Sequence, residues 1–375
     1  MSRRFASIIV SILFIHLSCG TRVQNSNIEN NIPQTVLKLI PSELNPRNSE
    51  GDFITLNDGR ILFIYSHFTG GDGDHASAFL AGRYSNDEGM TWSDKDIIIF
   101  SNESGLNLMS VSLLRLLNGD IALFYLQKNS LTDCRPILRI SKDEGNTWGE
   151  EIECINDRTG YFVLNNDRVI QLKNGRLLMP VSLHAAPDIE WSNSGWIQTY
   201  YSDDNGGSWK AGNVVANPDK MTLQEPGVVA LIDGRILMFM RNNSGFQYIS
   251  FSSDQGESWS PAEPSAIKSP LSPASIERIP ATGDLLMVWN NNGGENKAIA
   301  GKRTPFNIGI SKDEGKTWQV IRTLADDPDG WYCYTAIEFV GDHVLLGHCA
   351  GNRKENNGLA VTNISRINLD WIYGK

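Results

Sequence analysis

One eight-residue pattern, Ser-x-Asp-x-Gly-x-Thr/Ser-Trp, occurs five times in this chain: Ser85–Trp92, Ser141–Trp148, Ser202–Trp209, Ser252–Trp259 and Ser311–Trp318. Their first serines lie 56, 61, 50 and 59 residues apart, so one supersecondary unit of about that size recurs. Periods of this length belong to solenoids, propellers or arrays. The pattern itself is turn chemistry. Asp87, Asp143, Asp204, Asp254 and Asp313 can accept hydrogen bonds from nearby backbone N–H groups, and the glycine two residues on suits a left-handed backbone. Five aspartates in series can suggest a cation array, but five equivalent copies cannot meet at one centre. A hairpin lock accounts for all of them.

A second element precedes each pattern: a short apolar strand, a turn with Gly, and another apolar strand. The copies are Phe53–His67, Val111–Gln127, Arg168–His184, Gly227–Arg241 and Ala274–Asn290, with a sixth, Thr335–Cys349, followed by no box. Such pairs read as antiparallel hairpins. Each unit then holds four strands, and six units predict an all-β, six-bladed β-propeller of four-stranded antiparallel blades over residues 35–375. The sixth unit lacks an outer strand. Thr35–Ile40 lies ahead of blade 1 without a hairpin of its own and is expected to supply it.

The first 19 residues read as an export signal: Arg3 and Arg4, then the apolar run Phe5–Leu17, too short to span a bilayer. The run ends in Leu17-Ser18-Cys19-Gly20, which resembles a bacterial lipoprotein processing site, although His16 stands where an aliphatic residue is usual. Residues 20–34 are polar and read as a flexible tether. The expectation is an exported protein, held at the periplasm or cell surface by a lipid on Cys19 or else secreted. Beyond Cys19 there are Cys134, Cys154, Cys333 and Cys349, whose spacing fits no zinc pattern. A Cys134–Cys154 disulfide and four buried thiols are both open. The net charge of −10 argues against nucleic acid or an anionic membrane surface as partner. No cofactor or metal is expected.

In a propeller the loops of one face surround a central funnel, so equivalent blade positions point at one spot. Ahead of the inner strands stand Glu50, Ser110, Asp167, Glu225, Ser272 and Tyr334. After the second strands stand His67, Gln127, His184, Arg241, Asn290 and His348. As a set they suggest a funnel for a polar ligand. Two stand out. Glu225 heads blade 4 and Tyr334 heads blade 6, and a glutamate within reach of a tyrosine can take its proton and make the phenol oxygen a nucleophile. Most glycosidases use two carboxylates, and sialidases are the exception with a tyrosine.

With its boxes and these residues the chain resembles the sialidase superfamily over residues 35–375. The resemblance implies a Glu opening blade 4 with an Arg about sixteen residues later, matched by Glu225 and Arg241. It implies an Arg in blade 5, matched by Arg303, and a nucleophile opening blade 6, matched by Tyr334-Thr335. The acid/base implied in blade 1 falls on Asp74, with Asp72 next. The resemblance also implies a blade 1 arginine that grips a substrate carboxylate together with Arg241 and Arg303. By strand register that place holds Glu50, and Arg47 lies three residues earlier. Arg168 and His75 are further candidates for recognition, as is His184. The implied activity is release of terminal sialic acid from glycans with retention. The alternatives are another sugar on the same fold, or a glycan-binding surface protein without catalysis.

Overall fold

The computed structural model describes residues 32–375 apart from residue 104. The expected leader, Met1–Cys19, and nearly all of the tether lie outside the described residues. What is described is a six-bladed β-propeller. Blade 1 is typical: Arg47–Thr55, Ile61–Phe68, Ala78–Ser85 and Ile97–Phe100, each antiparallel to the next. The last blade is closed from the other end of the chain. Gln34–Leu39 pairs antiparallel with Thr362–Asn368, and across the seam from blade 6 to blade 1 the Thr362 hydroxyl donates to the Asn48 carbonyl while the Asn48 N–H donates to the Ala360 carbonyl. A short helix, Leu369–Tyr373, then ends the chain, capped by the Asn368 side chain.

The uniformly apolar second strands follow from this geometry, because both faces of a blade are buried against neighbours. Along Ile61–Phe68, Ile61, Phe63 and Tyr65 pack with blade 6, whereas Leu62 and Ile64 pack with blade 2. Six such clusters fill the seams between successive blades. Each box closes the turn between a third and a fourth strand. In the second copy Ser141 Oγ donates to Asp143 Oδ1 at 2.9 Å, and Asp143 also accepts from the Thr147 N–H at 2.8 Å and its hydroxyl at 2.6 Å. Gly145 adopts φ 76°, and its N–H donates to Ser141 Oγ. The box carboxylates are therefore engaged within their own turns.

The inner strands carry the feature that builds the site. Glu50, Ser110, Asp167, Glu225 and Tyr334 all have positive φ, between 49° and 60°. In blades 1, 2, 4 and 6 the strand register shifts at that residue, as at a β-bulge. One extra residue re-aims the side chain, and these four blades repeat the same device around the axis; blade 3 shares only the positive φ, at Asp167.

Blade 3 departs from the pattern. Its inner strand is split into Tyr161–Val163 and Ile170–Gln171. The intervening residues cross the centre of the ring. Asn166 Nδ2 donates to the carbonyls of Gly51 and Tyr334, the Ile337 N–H donates to Asp167, and Arg168 donates to Ala274 O and Ser275 Oγ. This plug joins blades 1, 3, 5 and 6. Cys134 and Cys154 are free buried thiols, not a disulfide; the Cys154 thiol donates to the Ile152 carbonyl.

Candidate functional site

The bulges bring Glu50, Ser110, Glu225 and Tyr334 to one cavity, which Asp74, Lys128, Tyr161 and Asn165 also line. At its centre Tyr334 Oη donates to Glu225 Oε1 at 3.0 Å. Arg241 Nη1 donates to the same oxygen at 2.6 Å and lies 3.4 Å from Tyr334 Oη. The Arg303 guanidinium sits 5.2 Å over the Tyr334 ring and donates to Cys333 Sγ at 2.9 Å. Blades 4, 5 and 6 thus converge on one phenol.

Electrostatics assign opposite resting states to this pair. Burial alone would raise the Glu225 carboxyl, but Arg241 and then Arg303 outweigh it and hold the group below the usual carboxylate range. The Tyr334 hydroxyl is pushed well up, first by burial and then by the charge of Glu225, with the arginines only partly opposing this. The resting pair is a carboxylate accepting a proton from a neutral phenol. Glu225 Oε2 and Arg241 Nε are buried with no hydrogen-bond partner among the described residues.

The blade 1 side answers the question of Arg47. Its guanidinium reaches the level of the bulge, with Nη2 2.7 Å from Glu50 Oε1 and Nη1 2.5 Å from Asp74 Oδ1. Nη1 also donates to the carbonyl of Asp72 at 3.1 Å. Arg47 is itself buried, whereas the Asp74 side chain is 59% exposed and meets solvent at the rim. Burial opposes ionisation of Asp74, but the charge and hydrogen bond of Arg47, then Lys128, hold its carboxyl low. Glu50 moves the other way: burial raises it, offset in part by Arg47, and it accepts from Ser110 Oγ. Counted formally, Arg47, Arg241, Arg303 and Lys128 face Glu50, Asp74 and Glu225, four positive groups against three negative.

The remaining sequence candidates are held by other partners. Arg168 is part of the axial plug, with its guanidinium 5.4 Å over the Phe239 ring. His184 is held by Ser182 Oγ and the Ser192 carbonyl and is covered by Trp191. His75 stands beside Asp74 with its ring edge-on to Tyr161. His67 is tied to Asp96 at 2.9 Å and His348 to Ser365 at 3.1 Å, so both are anchored within their blades.

Two residues without a sequence signal enter the site. Lys128 is almost wholly buried, donates to the Asp74 carbonyl and lies 5.4 Å over the Tyr161 ring. Tyr161 lies in the split strand of blade 3, which no hairpin signature marks. Among the described residues no group of three or more His, Cys, Asp or Glu side chains is arranged to hold a metal ion.

Comparison with known proteins places the fold. The family model of the BNR repeat-like domain matches residues 68–344. A sialidase from Clostridium perfringens is 27% identical over 237 residues, 56% of this chain and 59% of that protein. The match thus spans well under two thirds of that relative's length. An intramolecular trans-sialidase from Ruminococcus gnavus superposes with a TM-score of 0.70 at 15% identity, over 92% of this chain and 98% of that one. A Dyadobacter fermentans protein of unknown function superposes at 0.69 with 17% identity, over 89% and 99%. At these identities the superpositions speak for the fold. With a family model covering most of the propeller, and sialidases among its relatives, the chain belongs to the BNR repeat-like domain family within the sialidase superfamily.

Proposed function

We propose that this funnel hydrolyses the glycosidic bond of a terminal acidic sugar of the sialic acid type, with retention of configuration. The observation that carries the reading is the hydrogen bond from Tyr334 to Glu225 beneath Arg241 and Arg303. Tyr334 Oη attacks the anomeric carbon and yields its proton to Glu225 as the bond to the leaving oxygen breaks. Asp74 protonates that oxygen. Water then attacks the glycosyl–tyrosine bond, Asp74 takes the water proton, and Glu225 returns the proton to the phenolate. A neutral phenol approaches an anionic centre without the repulsion that a carboxylate nucleophile would meet.

The excess of one positive charge supports an anionic substrate. Arg241 and Arg303 flank the nucleophile, and Arg241 Nε is a buried donor that no described residue satisfies. Arg47 has a second task in this reading. In the resting site its charge keeps Asp74 ionised, which is the wrong form for an acid. A substrate carboxylate drawing on Arg47 weakens that hold and lets Asp74 carry a proton.

Glu50 supports a second reading, in which the same machinery acts on a different sugar. It occupies the bulge of blade 1, and an ionised Glu50 repels a carboxylate there. Release of free sugar from a fluorogenic sialoside, beside a panel of other exo-glycosides including uronides, separates the two. Turnover of the sialoside supports the first reading; turnover of another glycoside alone supports the second. No turnover of any, with binding to glycans retained, contradicts both. We also propose export of the protein, with anchoring through a lipid on Cys19; labelling with a fatty acid analogue tests the anchor.

A further inference from the structure

Trp191 is an exposed aromatic side chain held rigidly beside the site. Its side chain belongs to a residue 55% exposed, on the loop joining the second and third strands of blade 3, at the funnel face. One face of the indole is stacked on His184, with centroids 5.4 Å apart and planes at 25°. Its flank meets Tyr161 at 5.1 Å and 77°. The support does not move easily. His184 is buried and held at both nitrogens, by Ser182 Oγ at 3.1 Å and the Ser192 carbonyl at 2.8 Å. Gln224 of blade 4 donates to the Asn193 carbonyl at 2.7 Å and pins the loop from the other side.

A large aromatic fixed in one orientation with a face left to water is the arrangement that recognises the apolar C–H face of a sugar ring at low entropic cost. Its position decides which ring. Tyr161 lines the catalytic cavity, and His75, next to Asp74, lies edge-on to Tyr161 at 6.4 Å and 78°. The aromatic row therefore runs outward from the residue assigned to protonate the leaving oxygen.

We propose that the open face of Trp191 is the subsite for the leaving part of the substrate, a neutral hexopyranose that stacks through its C–H face. The proposal rests on Asp74 as the acid, and so on the reading above. It makes Trp191 a specificity-determining residue: it discriminates among glycosides by what is attached, not by the sugar released.

The test compares two substrates that share the released sugar, sialyllactose and sialyl fluoride; the second has no leaving ring. In Trp191→Ala the ratio of kcat/KM for sialyllactose to that for the fluoride falls about tenfold, the scale of one lost aromatic contact. Trp191→Phe recovers part of the ratio. An unchanged ratio in Trp191→Ala overturns the proposal. A second measurement is independent of turnover: titration of lactose against the indole N–H resonances of the wild-type protein, with Trp191 assigned from the Phe variant. A saturable shift of the Trp191 signal supports the subsite, and its absence overturns it. If neither sialoside is cleaved, the catalytic reading fails while the titration still decides the subsite.

Discussion

Tyr334 and Glu225 lie 109 positions apart in the chain and meet at 3.0 Å because each heads an inner strand on a bulge of positive φ. The hydroxyl is held neutral and the carboxyl ionised by the same surroundings. That polarity makes Glu225 a base for Tyr334, and the arginine pair keeps it so.

Removing either member should slow turnover sharply and spare the fold. Tyr334→Phe lacks the attacking oxygen, and its kcat on a sialoside is expected to fall by roughly 10³-fold or more. Glu225→Gln keeps an acceptor but cannot take the proton, and the expected loss is on the order of 10²-fold. Thermal unfolding of the phenylalanine variant should shift by no more than about 2 °C, since only a hydroxyl leaves.

The ion pair of Arg47 with Asp74 predicts a difference between two pH profiles. In the free protein Arg47 holds the Asp74 carboxyl low, so the protonated acid is lost early as pH rises. With a carboxylate substrate bound, that hold weakens and the carboxyl rises. The basic limb of kcat should therefore lie at higher pH than that of kcat/KM. Coincident limbs would remove Arg47 from this role.

Glu338, on the inner strand of blade 6, tests linkage in the fold itself. Burial pushes its carboxyl up to about 7, with the Thr55 hydroxyl only partly opposing. A carboxyl raised in the folded state binds a proton there that the unfolded chain releases, so stability falls as pH rises from about 4.5 to 7. Glu338→Gln keeps an acceptor for Thr55 and removes the titration. Urea unfolding should find the variant more stable than wild type by about 1–2 kcal/mol at pH 8, with the gain shrinking towards pH 4.

The boxes predict the opposite sign. Asp254 accepts from Ser252 Oγ, Ser258 N and Ser258 Oγ. Slight burial works against ionisation, but the bonds from Ser258 and Ser252 hold the carboxyl low. Its contribution is present above the unfolded pKa and lost as pH falls through the folded one. Asp254→Ala should cost about 1 kcal/mol at pH 7, less than three separate bonds because the group is exposed to water. The difference between the two proteins, followed by unfolding across a pH series, should narrow as pH falls below about 4.

Much of this architecture is legible in the chain because it is local. A box or an Asn-Gly turn is formed by residues within ten positions of each other, and the strands around it follow. Counting them shows that the sixth blade lacks a strand, which Gln34–Leu39 supplies. The heads of the inner strands are legible too, from register; what aims them, the repeated bulge, is not, since Glu50 and Tyr334 carry no residue-type preference for positive φ. The histidines His67, His184 and His348 show the limit of register. All three follow a second strand as Arg241 does, yet partners inside their own blades hold them: Asp96, Ser192 and Ser365. Lys128 and the plug at Asn166 depend wholly on contacts between blades, and such contacts leave no local mark.

The central claim is a bond between Tyr334 and the substrate's anomeric carbon, and trapping it is the direct measurement. A sialic acid analogue with fluorine at the anomeric carbon and its neighbour forms the glycosyl intermediate and slows its hydrolysis. Peptide mass spectrometry of the inactivated protein should find one added sugar on Tyr334, and none in Tyr334→Phe. An adduct on Asp74 or Glu225, or continued hydrolysis of a sialoside by Tyr334→Phe at the wild-type rate, would contradict the account.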